Sequence, residues 1–178
     1  MEFRGEKAFL REIGEADLET VLRWRNSPRV HRVMFSDHKI KPDEHRRWFE
    51  GLRGDPDRKF FIIRDATSRK PVGVINWKID RSKSSCEIGI YLGEEAFQGK
   101  GHAGEAMELA AAHLFEKEKM NEIVTRVFAF NTQAVRFYEK HGFQHGFQHG
   151  FRADDSLTWR CEKEGKPEDV VVMKRLRG

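Results

Sequence analysis

Residues 98–104, Gln98-Gly99-Lys100-Gly101-His102-Ala103-Gly104, set three glycines directly ahead of an apolar-periodic run, which is the composition of a backbone anion site. Amides at a helix start have no earlier helical carbonyl to bind, and the helix dipole places positive potential there. Glycine also removes the Cβ that would hold a ligand away from the backbone. A diphosphate fits such a loop. The nucleotide P-loop is excluded, because Gly-x-x-x-x-Gly-Lys-[Ser/Thr] is absent. Gly99, Gly101 and Gly104 do fit Gly-x-Gly-x-x-Gly, but no acidic ribose ligand closes a βαβ unit about 20 residues on. Further along, Asn131-Thr132-Gln133-Ala134-Val135-Arg136-Phe137-Tyr138 is a second stretch with chemistry in it. Asn131 can cap a helix, Ala134 is small enough for a ligand to lie close, and Gly142 ends the helix. Tyr138, one turn before that end, can aim its hydroxyl inward. Upstream, Glu87, Gly89 and Tyr91 share one face of a strand, which makes Glu87 a candidate general base.

The chain that must position these groups has 178 residues, enough for one domain that buries about 70% of its unfolded surface. Its 33 Lys and Arg against 29 Asp and Glu leave +4, a mixed surface and not a nucleic-acid footprint. Cys86 and Cys161 have no ligand spacing and read as reduced thiols of a cytoplasmic protein. No apolar run reaches membrane-spanning length and residues 1–4 begin no signal peptide, so neither a membrane nor a nucleic acid is an expected partner.

Hydrophobic periodicity divides the chain into alternating strands and helices. Residues 7–13 read as a strand and 16–24 as a helix that stops at Asn26-Ser27-Pro28. An irregular segment, 29–40, precedes a helix that Pro42, Asp43 and Glu44 open. Residues 60–64 and 72–79 form an antiparallel pair across a polar turn, and 86–92 extends the meander. A helix over 101–119, a strand over 122–130 and a short helix over 132–141 follow. Strands near 143–151, 156–162 and 168–176 complete the sheet. Gly142-Phe143-Gln144-His145 recurs at 146–149, and a four-residue step preserves the face of each strand residue. His141, His145 and His149 would make a metal face only on a helix. The interleaved Gly and Phe favour an extended strand, and no metal is expected.

Gln98, Gly101 and Ala103 spell Gln-x-x-Gly-x-Ala, and together with the Asn131, Ala134, Phe137-Tyr138, Gly142-Phe143 series they resemble the GCN5-related N-acetyltransferases. The resemblance runs from about Phe9 to Leu176. It implies an α/β (α+β) fold with a mixed, mainly antiparallel sheet of about seven strands, helices on both faces and a splay between the fourth and fifth strands, 86–92 and 122–130. It implies acetyl-coenzyme A as co-substrate, its diphosphate on Gln98, Gly99, Lys100, Gly101, His102, Ala103 and Gly104. Its pantetheine arm would lie in the splay beside Asn131, Ala134, Phe137 and Tyr138. Acetyl transfer needs a deprotonated amine, an oxyanion stabiliser and a proton for the leaving thiolate. The main-chain amides of Ile90, Tyr91 and Leu92 would hold the thioester carbonyl, and Tyr138 would supply the proton.

The acetyl-coenzyme-A core is thus 86–143 and the acceptor elements fall mainly in 22–54, within one domain over 1–178. The order Arg25-Asn26-x-Pro28, an aromatic loop at 33–40 and Glu44-His45-x-x-Trp48-Phe49 resembles family members that acetylate the 4-amino group of a UDP-linked amino sugar in pseudaminic acid biosynthesis. That resemblance implies diphosphate contacts from Arg25 and His45 and packing on uracil and sugar by Met34, Phe35 and Tyr91. Trp77 of the 72–79 strand departs from those members, which carry smaller or basic residues there, and is placed with the acceptor-binding residues as well. Arginine suits a phosphate because its fork bonds bidentately. Two other acceptors stay open, a protein N-terminus or a polyamine, as does a non-catalytic coenzyme-A-binding protein. A homodimer is compatible with each.

Overall fold

Successive residues of the segment Arg58–Asp65 are buried in two separate apolar clusters. Phe61 and Ile63 belong to one, Phe60 and Ile62 to the other, and this alternation puts the strand in the middle of a three-layer arrangement. A computed structural model describes residues 1–145 and 158–178. Its strands are β1 (Glu2–Arg4), β2 (Ala8–Glu12), β3 (Arg58–Asp65), β4 (Pro71–Asp80), β5 (Ser85–Leu92), β6 (Glu122–Phe128), β7 (Gln144–His145), β8 (Thr158–Lys163) and β9 (Lys166–Leu176). The helices are α1 (Leu18–Asn26), α2 (Pro28–His31), α3 (Pro42–Leu52), α4 (His102–Glu116) and α5 (Thr132–Lys140). One sheet runs in the order β1-β2-β3-β4-β5-β6-β9-β7, with β8 also on β9.

Every pairing is antiparallel except β5 with β6, which needs a long crossover and obtains it from α4. That pairing covers only Ser85–Glu87 against Glu122–Val124, after which the two strands part. The expected splay is therefore present, between 85–92 and 122–128. Helix α4 presents Ala106, Met107, Ala110, Ala111 and Leu114 to the cluster built on Phe61 and Ile75, and Tyr138 of α5 joins the same cluster. On the other face Val21 and Trp24 of α1 bury Ile62 and Val74, and Trp48 of α3 meets Phe60 edge-on at 4.9 Å. Helices thus cover both faces. Among the described residues no helix is long and apolar enough to cross a membrane.

The sheet has nine strands where about seven are expected. β1 is three residues long and carries no alternation to read; it forms because Glu105 of α4 accepts the amides of Glu6, Lys7 and Ala8 at 2.8, 2.8 and 2.5 Å and fixes the turn into β2. The 29–40 segment contains α2, which Pro28 opens and the Ser27 side chain caps. Helix α4 stops at Glu116 and not at 119, where Lys119 takes a positive φ of 60° and Met120 N–H closes on Leu114 C=O. Strand β6 stops at Phe128 because Asn131 N–H turns back to the Phe128 carbonyl. The second copy of the Gly-Phe-Gln-His repeat, His149 and most of the 143–151 strand lie outside the described residues.

Strand parity turns the Trp77 ring away from the expected acceptor side. Its indole stacks on Phe61 at 4.7 Å and contacts Phe3 and His113 on the α4 side, 2% exposed, so its ring is core even though the residue also borders the cavity on the α1 side. We expect Trp77→Ala to lower stability by about 3–5 kcal/mol, the range for a large buried aromatic, in urea unfolding. Trp77→Phe should leave the acceptor KM unchanged; a rise in that KM with unchanged stability would return Trp77 to the acceptor site.

Candidate active site

The anion loop follows a short turn, Glu95–Phe97, and its two glycines are required by backbone geometry. Gly99 and Gly101 have φ of 71° and 93°, the left-handed region. The first amide to close inside α4 is that of Glu105, on the Gly101 carbonyl at 3.0 Å. The amides of His102, Ala103 and Gly104 therefore lie in the orphan first turn of a 15-residue helix, where the dipole adds positive potential. Gln98 and Lys100 are exposed beside them, with the Lys100 ammonium 5.3 Å over the Phe97 ring. Lys7, in the β1–β2 turn, is a cation that sequence spacing does not reveal: a Cβ at Gly101 would stand 3.1 Å from its Nζ. These residues fit a diphosphate.

Two residues of the loop differ from the expectation. The His102 ring turns inward, its Nε2 2.8 Å from Asp65 Oδ1 and its face against the Phe97 edge, so only its amide is available to a ligand. The His102 bond and the Ser68 N–H and hydroxyl hold the Asp65 carboxyl well below the ordinary carboxylate range. Gly104 is small for packing: a Cβ there would lie 3.0 Å from the His141 ring, which is itself held by Glu108 at 2.9 Å. Phe137 packs on His141 at 4.7 Å and on the core under α4, and it is not among the residues that line the gap.

At the closed end of the splay, Arg126 of β6 grips Glu87 of β5 through three contacts of 2.6–2.9 Å. Beyond it the strand amides divide by parity. Gly93 N–H donates to Val72 O at 2.9 Å, so Tyr91 also turns its amide to β4, whereas Ile90 and Leu92 turn theirs into the gap. Tyr91 is thus removed from the expected main-chain donors. The Leu92 carbonyl is taken by Arg29 of α2 at 3.0 Å. Tyr138 brings its phenol to the gap from α5, with the Ile90 backbone of β5 and the Thr125 side chain of β6 acting on it to favour the ionised form. Burial pushes the phenol above its ordinary value of 10.0, and those two groups pull against it. Asn131 caps α5 by accepting the Ala134 N–H at 3.3 Å, and both residues face the gap. Thr125, 1% exposed, is a polar side chain in an otherwise apolar register position that the sequence reading missed.

The gap opens into a cavity of about 670 Å³ on the α1 and α3 side, where Arg25, Met34, Phe35, His45 and Tyr91 join the splay residues. The Arg25 guanidinium spends its donors on Met34 Sδ and Ser36 Oγ, each at 3.0 Å, and pairs with no carboxylate among the described residues. His45 stacks on Trp48 at 4.9 Å; burial is the main cause that lowers its pKa, opposed by the Leu18 backbone, with Arg25 adding to the lowering. Its Nε2 is buried without a partner, and so is Tyr91 Oη, whose pKa burial raises. Phe35 packs on Phe128 at 4.7 Å and closes the far wall. The nearby Cys86 thiol is buried and pushed up to about 12, which removes it from nucleophilic chemistry.

Comparison with known proteins follows the same lines. A family model described as an acetyltransferase (GNAT) domain matches residues 7–144. Acetyltransferase PseH of Campylobacter jejuni (strain 81-176) is 27% identical over 132 residues, covering 74% of this chain and 80% of that one. Among solved structures, the spermidine N-acetyltransferase from Vibrio cholerae in complex with CoA and spermine superposes with a TM-score of 0.84 at 22% identity, covering 97% of this chain and 96% of that one. A domain from Methanocaldococcus jannaschii superposes at 0.71 with 20% identity, covering 94% and 98%. The structural likeness establishes the fold, and the family match covers well over half of the sequence. With a diphosphate loop, a splayed sheet and a phenol in the gap, the chain belongs to the GNAT acetyltransferase family and is an acetyl-coenzyme-A-dependent N-acetyltransferase.

Proposed function

We propose that this acetyltransferase acts on the amine of a nucleotide-linked amino sugar, the 4-amino group of a UDP-linked sugar being the acceptor that the resemblance carried by Arg25 to Phe49 implies. The observation that carries this is a set of incompletely partnered groups in the cavity: an Arg25 guanidinium bonded to Met34 and Ser36 but to no carboxylate among the described residues, and the buried His45 Nε2 and Tyr91 Oη without partners. Buried polar atoms are normally satisfied, so an orphan pair beside an uncompensated cation is what a polar anionic ligand would complete. A polyamine would need the opposite charge at Arg25.

The chemistry follows from where each group sits. His102, Ala103 and Gly104 offer their amides to the diphosphate, with Lys7 and Lys100 adding charge. The Ile90 amide is the strand donor that a thioester carbonyl lying in the gap would meet. Tyr138 stays protonated through neutral and mildly alkaline pH because burial raises its pKa, and it would give its proton to the leaving sulfur. The Thr125 hydroxyl would then stabilise the phenolate. Glu87 has both oxygens engaged by Arg126, so direct acceptance of the amine proton would cost that ion pair. At 45% side-chain exposure it is reached by water, and we assign it proton acceptance through a bridging water.

Three outcomes test this assignment. Gly101→Val should abolish coenzyme A binding in calorimetry with the fold retained, because valine resists a φ of 93° and closes the approach to the amides; parent-like binding would move the diphosphate elsewhere. Tyr138→Phe should lower kcat by a factor on the order of 10²–10⁴ with little change in stability, and the parent should show no loss of activity from phenol ionisation below pH 10. Thiol release measured with UDP-amino sugars, spermidine and peptides bearing free N-termini should appear with the nucleotide sugars. Arg25→Ala should then raise the sugar KM by a factor corresponding to about 1.5–3 kcal/mol while acetyl-coenzyme A affinity holds. Turnover of spermidine or peptide with silence on every nucleotide sugar would overturn the sugar assignment.

A further inference from the structure

Several tethers hold residues 33–40, and two of them come from the other end of the chain. Asn26 exchanges two hydrogen bonds of 2.9 Å with the Ile40 backbone, and Arg25 reaches Met34 and Ser36. The remaining two arise at the β8–β9 turn, 127 residues later in sequence. There Lys163 Nζ donates to the Ser36 carbonyl at 2.8 Å and lies 3.5 Å from Asp37 Oδ1, while Glu164 N–H donates to both Asp37 oxygens at 2.9 Å. The turn itself has Glu164 and Gly165 at φ of 52° and 72°, the two-residue geometry of a tight hairpin.

The Lys163 side chain is only 5% exposed. A buried ammonium is costly unless its donors are used, and the partners it finds are both on the 33–40 segment. Val33, Met34, Phe35 and Ser36 of that segment line the acceptor cavity, whereas Lys163 and Asp37 do not. Phe35 also crosses to Phe128 on β6. The segment is therefore a strap that starts at α1, passes over the cavity and is pinned on the far side by the hairpin.

We propose that Lys163 and Asp37 are positioning residues for the acceptor: their clasp holds the strap in the conformation that completes the acceptor site, and so sets acceptor affinity without touching the acceptor. The proposal rests on assigning this cavity to the acceptor, but not on the acceptor being a sugar.

The test uses Lys163→Met, which keeps length and apolar volume but removes the charge, and Asp37→Asn on the more exposed partner, in the full chain. Lys163→Arg serves as the conservative control. Each charge-removing variant should raise the acceptor KM about tenfold or more, leave kcat within about threefold and leave the acetyl-coenzyme A KM unchanged. Hydrogen exchange at amides 33–40 should rise, while α4 and β5 stay protected. Lys163→Arg should restore most of the acceptor KM. The acceptor in these assays is whichever amine the purified enzyme turns over, so a rise in its KM supports the clasp even if that amine is not a nucleotide sugar. An unchanged acceptor KM in Asp37→Asn, with or without faster exchange in the strap, overturns the proposal and leaves the acetyltransferase assignment standing. An equal rise in the KM of both substrates also overturns it, since that is the signature of general loosening.

Discussion

Parting β5 from β6 after three residue pairs is the constraint on which the rest of the structure depends. A sheet interior that opens leaves strand amides and carbonyls without ladder partners, and buried backbone groups must find others. The molecule supplies them one at a time. The Tyr138 phenol faces the Ile90 backbone, Arg29 donates to Leu92, and the Glu87–Arg126 pair ties the strands where they separate. Each of these partners is a side chain that a ligand can displace or use, whereas a continuous ladder would have sealed the gap.

Electrostatics divides the two ligand regions in different ways. The glycine loop before α4 relies on fixed backbone dipoles with lysines at its rim, and it is shaped by two left-handed glycines. The acceptor cavity relies on a few partly buried side chains, Arg25, His45 and Tyr91, whose hydrogen-bonding capacity is incompletely used. A low-dielectric wall strengthens each such group, which favours discrimination among acceptors over simple attraction.

Local features were legible in the sequence and long-range ones were not. Glycine spacing at 99–104 and the Asn131–Tyr138 series located the loop and the phenol, because each acts within one helical turn of itself. The splay could be placed only through family resemblance, since nothing in 86–92 or 122–130 states how far they pair. Trp77 could have been assigned correctly: Asn76 and Lys78 flank it, and strand parity sends them to the opposite face from the apolar Ile75 and Ile79. Lys7, Thr125 and Lys163 were beyond reach, because each gains its meaning from a partner on another element.

Glu105 joins the first turn of α4 to the amides of Glu6, Lys7 and Ala8 across separations of 97–99 residues. A carboxylate next to a diphosphate would repel it, but here its charge is absorbed by three inward-facing dipoles from the opposite end of the meander. Contacts of such sequence distance are closed late in folding, since their loop entropy must be met before they contribute. The field of the anion loop comes from the first-turn amides of α4, and docking of the N-terminal hairpin is what offsets the acid placed beside them, so this one carboxylate couples the loop to the far end of the meander.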